Sequence, residues 1–177
     1  MATRGPYHSR VARSLSHGTL ALVLVACAPT AALGATWSAS GSAAASWSGG
    51  WPSLDLRARG GLVLAGGHEI GLVTGITSER LDTRLLYLSH YTHTWTGIES
   101  RVWPAVSLWL GGATDLLGAW AQSRLLFGSS VGLRLPVGEL LALRLDLGLE
   151  ALAGDTWVGR VFLAFGLEIL GGPGWPR

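Results

Sequence analysis

The densest group of residues able to do chemistry is Ser89-His90-Tyr91-Thr92-His93-Thr94-Trp95. A hydroxyl becomes a nucleophile when a base lies within hydrogen-bond reach. On a strand His90 and Thr92, two apart, share a face, so the pair meets that first requirement. His90 and His93 are three apart and point to opposite faces, which separates them as ligands for one metal ion. No retained cysteine and no acid cluster completes a metal set. Gly66-Gly67-His68-Glu69 reads as a turn, and neither a phosphate-loop nor a dinucleotide fingerprint occurs. No catalytic or metal residue is assigned and no cofactor is expected; no small-molecule ligand is indicated either.

The elements that would carry these histidines show a more consistent pattern. Leucine stands at every second position from Leu141 to Leu149, with Arg144, Asp146 and Glu150 on the other parity. In 53–64, Leu54, Leu56, Ala58, Leu62 and Leu64 oppose Asp55, Arg57 and Arg59. In 156–170, Trp157, Val161, Leu163, Phe165, Leu167 and Ile169 oppose Arg160 and Glu168. Period-two alternation over a dozen residues marks a strand with two unlike faces, because a helix would scatter these charges among the leucines. Turn signals at 48–52, 65–67, 96–97, 111–115, 136–138 and 153–155, and a break at 79–83, predict eight strands. Their predicted bounds are 36–47, 53–64, 69–78, 84–95, 98–110, 119–135, 139–151 and 156–170.

Such alternation suits a soluble sheet with a leucine core or a membrane barrel with leucines towards lipid. Three features favour lipid. The charged face is sparse and rich in Gly, Ala and Ser, as a confined interior requires. The apolar face runs unbroken along whole strands, whose length covers, with overhang, the roughly 9–11 residues of a tilted membrane strand. Finally, the inward face collects Arg57, Arg59, Arg101, Arg124, Arg134, Arg144 and Arg160 against Asp55, Glu69, Glu99, Asp146, Glu150 and Glu168. Seven cations against six anions can pair almost completely, whereas an outward arginine at the bilayer midplane would cost about 2–4 kcal/mol. Phe162, with Trp103 and Trp109, would help to fill the lumen and leave no wide pore.

Trp37 and Trp47 share the outer face of the first strand, ten residues apart. That is about 33 Å of extended chain, or about 25 Å along the membrane normal when tilted, the height of a barrel's apolar band. Trp37, Trp47 and Trp157 are therefore expected in an aromatic girdle. The fourth and fifth segments fit least well. Tyr87, Ser89, Tyr91, His93 and Trp95 share one face and Leu86, Leu88 and His90 the other, while Pro104 falls within the fifth, so a rim position or a bulge is expected there.

Charged residues are 14% of the 177, and Lys is absent, so the 13 basic residues are all Arg. Ordinary soluble chains carry roughly 25% charge. Arg4, Arg10 and Arg13 precede the apolar run Thr19 to Ala28, and small residues at Ala32 and Gly34 offer cleavage before Ala35: residues 1–34 read as an export signal and 35–177 as one barrel domain. Without 1–34, ten Arg face eleven acids, a net charge of about −1, and nucleic-acid binding is not expected. The sole cysteine, Cys27, excludes an intramolecular disulfide.

Taken together, these alternating segments resemble the small outer-membrane β-barrel proteins of Gram-negative bacteria, over the whole of 35–177. The resemblance implies an all-β fold, a single antiparallel transmembrane barrel of about eight strands. Its partners would be the lipid bilayer and the outer-membrane assembly machinery, and its role structural or interaction-based rather than enzymatic. The last strand, Gly159 to Leu170, partly matches the terminal signal of that family but is followed by Gly171-Gly172-Pro173-Gly174-Trp175-Pro176-Arg177. Leu24-Val25-Ala26-Cys27 resembles a bacterial lipobox. With Cys27 lipidated, the alternative is a soluble or lipid-anchored periplasmic β-sandwich or closed barrel that binds a ligand. His90-Tyr91-Thr92-His93 faintly resembles the His-x-Ser-Asn arrangement of outer-membrane lipid A deacylases, with Thr92 for the serine and His93 for the asparagine, which gives a third reading as an envelope-lipid-modifying barrel enzyme. A helical inner-membrane protein would rest on 102–122, which carries a charge, a proline and a double glycine.

Overall fold

Each alternating segment forms a strand, and the short hairpins between them lock the register. The computed structural model describes residues 36–49, 51–79, 82–96, 101–116, 122–154 and 157–171. The predicted export signal, Cys27, Glu99 and the tail after Gly171 lie outside these residues. The strands are β1 (Trp37–Ser48), β2 (Trp51–Leu64), β3 (His68–Glu79), β4 (Asp82–Thr94), β5 (Trp103–Asp115), β6 (Ser123–Pro136), β7 (Leu141–Ala153) and β8 (Trp157–Gly171). Every strand pairs antiparallel with the next, and β8 closes on β1.

The register measures the closure. Starting at Trp37, partners run through Leu62, Ile70, Tyr91, Leu108, Ser129, Leu149 and Val161, and return to β1 at Trp47. One circuit thus climbs ten residues. With strand spacing of about 4.8 Å and a rise of about 3.3 Å per residue, eight strands at that stagger tilt by about 40° and enclose a barrel of about 8 Å radius. The two tryptophans of β1 are one turn of this spiral apart.

Both described chain ends lie at one mouth, the near end, with the β2–β3, β4–β5 and β6–β7 connections. The β1–β2, β3–β4, β5–β6 and β7–β8 connections form the far end. Backbone geometry settles two of these turns. Gly49 sits at φ 54° in the β1–β2 hairpin, a conformation that suits glycine. In the β2–β3 turn (Ala65–Gly67), Gly67 has φ 78°, and a Cβ there would lie 2.0 Å from the Thr94 carbonyl oxygen.

Three readings of the sequence are corrected. Residues 111–115 are not a turn but the end of β5, which starts at Trp103, five residues later than predicted. The glycines are there for clearance: a side chain at Gly111 would strike the β4 backbone at Tyr87, and one at Gly112 the Tyr87 ring that covers it. The β3–β4 and β4–β5 registers run without a break, so no bulge bends this region. Pro104, second in β5, keeps its carbonyl in the ladder end by accepting from Trp95 N at 3.0 Å. His68 and Glu69, read as a turn, open β3.

Polarity is inverted relative to a water-soluble protein. Leu72 and Leu149 are each 61% exposed on the outside, with Leu54, Leu147, Leu163 and Phe165 in the same apolar surface, while Asp55, Glu69 and Glu168 are fully buried inside. Trp47, Trp157 and Phe127 mark the far end of the outer surface, Trp157 edge-on to Phe127 at 5.7 Å. Trp37, folded against Gly171, and Trp95 mark the near end. At Leu147, midway along β7, arginine should lower unfolding stability by about 2–4 kcal/mol in lipid vesicles. Urea titration followed by tryptophan fluorescence measures it; an unchanged midpoint would place this face away from lipid.

The salt-bridged lumen as the candidate functional site

The inward parity of β2, β3, β6, β7 and β8 brings ten of the predicted charges together in two groups, and each group is neutral. Towards the far end, Arg57 Nη2 donates to Asp55 Oδ2 at 2.6 Å and Arg57 Nη1 to Glu150 Oε1 at 2.6 Å. Arg160 Nε donates to Glu150 Oε2 at 2.7 Å, and its Nη1 lies 3.5 Å from Asp55 Oδ1. Thr77 Oγ1 donates to Asp55 and accepts from Arg160 Nη1 at 3.1 Å. Two arginines and two carboxylates form a closed ring, built from β2, β7 and β8. Arg57 also lies 5.0 Å from the centre of the Phe162 ring, a cation–π distance.

The second group lies towards the near end. Glu69 accepts from Ser38 Oγ at 2.8 Å and from Arg134 Nη2 at 2.7 Å, and its Oε1 lies 2.9 Å from His90 Nε2. Arg134 Nε then lies 3.0 Å from Glu168, and Arg144 Nη1 is 3.9 Å from the same carboxylate. Arg144 pairs with Asp146 and donates to Ser107 Oγ at 2.9 Å. Ser107 and Thr92 share a hydrogen bond of 2.8 Å, and Arg59 Nη1 donates to Thr92 Oγ1 at 3.2 Å. Arg59, Arg134 and Arg144 thus stand against Glu69, Asp146 and Glu168.

Between the groups, Trp109 and Phe162 meet inside the barrel with ring centres 5.6 Å apart, flanked by Val73, Leu88, Ala44 and Ala164. A cavity of about 20 Å³ lies beside Ser40, Ser42, Arg59, Trp109, Ser130 and Asp146. That is room for about one water molecule, and it meets the Trp109 Nε1 and Ser130 Oγ groups that lack a protein partner. The lumen is therefore filled by side chains. Trp103 stands half-buried at the near mouth rather than in the plug.

Two of the predicted lumen charges, Arg101 and Arg124, fall elsewhere. Arg101 is exposed in the β4–β5 connection, because β5 begins only after it. Glu99 lies outside the described residues. Arg124 keeps the inward parity but sits at the far rim, 3.7 Å from Asp115. That rim also holds Arg84, which donates to Asp115 Oδ1 at 2.8 Å and to Glu79 Oε2 at 3.3 Å. Glu79 and Asp115 escape the sequence reading because 79–83 and 111–115 read as breaks, whose charges have no assigned face, and Arg84 because it opens the fourth segment, whose two faces fit the pattern least well.

His90 and Thr92 do share the lumen face, as expected on a strand. Each is buried and already engaged, His90 with Glu69 and Thr92 with Ser107 and Arg59. His93 points the other way, to the outer surface beside His68.

The closed eight-stranded fold recurs among solved structures. The fold is that of the small outer-membrane β-barrels. Neisserial surface protein A superposes with a TM-score of 0.59 at 17% identity, over 77% of this chain and 96% of that one. The N-terminal β-barrel domain of Pseudomonas aeruginosa OprF follows at 0.57 and 15%, over 76% and 97%. The outer membrane enzyme PagL gives 0.55 and 12%, over 72% and 97%. No protein-family model and no curated protein matches the chain by sequence.

Neutralising Glu150 should leave Arg57 and Arg160 short of an anion in a dry interior. Glu150→Gln is expected to cost about 3–5 kcal/mol in urea unfolding from lipid vesicles. Glu168→Gln should cost less, since neither Glu168 oxygen makes an aligned hydrogen bond. An equal loss for both variants would show that net charge, not the hydrogen-bonded ring, sets the stability.

Proposed function

We propose that the chain is an exported protein whose barrel sits in the outer membrane of a Gram-negative bacterium, in a structural or interaction role without a wide pore. The observation that carries this reading is the inverted polarity: a continuous apolar exterior around a charged, paired and plugged interior. Water would drive such a surface to aggregate, whereas the apolar band of a bilayer accommodates it. A two-sheet sandwich would need its leucines inside, where this barrel has arginines and carboxylates.

Residues 1–34 serve as the export signal in this reading, and the outer-membrane assembly machinery inserts the strands. The near end, which holds both described chain ends, faces the periplasm. Connections at 49–50, 80–81, 116–122 and 154–156 then reach outward. They are short, which favours a scaffold or a compact contact over an extended receptor surface. A non-catalytic role is supported by the burial of His90 and Thr92 and by the engagement of Thr92 with Ser107 and Arg59 rather than with His90.

Gel mobility of the membrane fraction tests this reading. A closed barrel should need detergent for extraction, resist cold SDS and migrate differently once boiled. In planar bilayers the purified protein should give no large porin-type steps, because Trp109 and Phe162 close the lumen. Detergent-free solubility without a mobility shift would overturn the membrane assignment, and large steady conductance would overturn the plug.

A further inference from the structure

On the strands, every Asp, Glu and Arg whose side chain is described projects to the lumen or its rims. The outer surface carries two imidazoles, and they face each other. His68 opens β3 and His93 lies directly opposite it on β4, with ring centres 4.5 Å apart and planes inclined by 35°. Tyr91, two residues before His93 on the same face, places its hydroxyl 2.7 Å from His68 Nδ1. Trp95 meets the His93 ring edge-on at 4.5 Å. His93 Nδ1 is buried in this cluster with no hydrogen-bond partner.

Scattered polar residues on an apolar surface would not be in register. Opposed side chains on antiparallel strands have Cβ atoms about 4.5–5.5 Å apart, close enough for two imidazoles to reach one ion. The His68 hydrogen bond adds direction. In the tautomer whose Nδ1–H donates to Tyr91 Oη, the Nε2 lone pair is left for a ligand, the usual arrangement of a metal-bound histidine with a partner on its other nitrogen. Gly67, held at φ 78° against the Thr94 carbonyl, fixes the turn that delivers His68.

We propose that His68 and His93 form a two-imidazole chelate for a borderline divalent transition-metal ion, of the Cu2+ or Zn2+ class, on the outside of the near rim. Imidazole nitrogen suits this class, whereas Ca2+ and Mg2+ demand oxygen ligands that the cluster lacks. Two protein ligands leave the remaining positions to water or to an anionic group at the rim, which makes the site exchangeable. Tyr91 is a positioning residue that holds the His68 ring and its tautomer. The site stands on β3–β4 geometry alone and is independent of the membrane reading.

The test is Cu2+ titration of the full chain, folded in detergent, in a His8→Gln/His17→Gln background that removes the histidines preceding the barrel. Electron paramagnetic resonance should show coupling to two nitrogens. His68→Ala and His93→Ala should each weaken binding at least about tenfold and abolish that pattern; Tyr91→Phe should weaken it about tenfold with two nitrogens retained. The shift between cold and boiled gel samples verifies folding, and His68→Gln and His93→Gln replace any alanine variant that fails it. The proposal is overturned if the doubly substituted His68/His93 protein binds Cu2+ as tightly as its parent, or if only one of the two histidines matters.

Discussion

A closed barrel of about 8 Å radius has no room to hydrate a charge, so charge placed inside must be balanced inside. That requirement organises the molecule. Five lumen arginines, Arg57, Arg59, Arg134, Arg144 and Arg160, face five buried carboxylates, Asp55, Glu69, Asp146, Glu150 and Glu168. They are supplied by β2, β3, β6, β7 and β8, and their contacts run across the lumen, such as Arg57 to Glu150 and Arg134 to Glu69. Strands far apart in sequence are thereby tied together. A one-residue slip of any strand would carry its charges outward and its leucines inward.

The interior is packed as tightly as it is paired, and small residues make that possible. Bulky side chains are seated opposite glycines: a Cβ at Gly148 would lie 2.4 Å from the Phe162 ring, one at Gly132 2.2 Å from Asp146 Oδ1, and one at Gly128 2.7 Å from Trp109 Nε1. Each large lumen group therefore occupies the volume of two positions. The same exchange operates outside, where Gly112 lies under Tyr87 and Gly171 under Trp37. Glycine in these strands is a packing partner more often than a turn, which is why the double glycine at 111–112 misleads as a turn signal.

Eight-stranded barrels share backbone geometry at very low sequence identity because lipid and lumen constrain parity, not residue identity. Any apolar residue satisfies the outer face, and any neutral, space-filling set satisfies the inner one. Role must therefore be read from departures from that pattern. Within the lumen, His90 and Thr92 are absorbed into the hydrogen-bonded network. On the outer surface, the cluster of His68, Tyr91, His93 and Trp95 is the departure with internal order.

Parity was legible from the chain alone. Leu141 to Leu149 alternating with Arg144, Asp146 and Glu150 already requires two unlike faces, and the sum of arginines and acids on one parity requires that face to be enclosed. Strand number followed from the same pattern, and Trp37 and Trp47 hinted at the height of the apolar band. What needed the tertiary structure was everything that depends on stagger. No local signal says that one circuit climbs ten residues, so none could pair Arg57 with Glu150, seat Phe162 opposite Gly148 or place Arg101 beyond the strand that was to carry it. The histidines show the reason most plainly. Along the chain His93 invites comparison with His90, three residues away and on the other face, whereas its partner is His68, brought opposite by the β3–β4 register. Sequence spacing decides which face a residue occupies, and only closure decides whom it meets there.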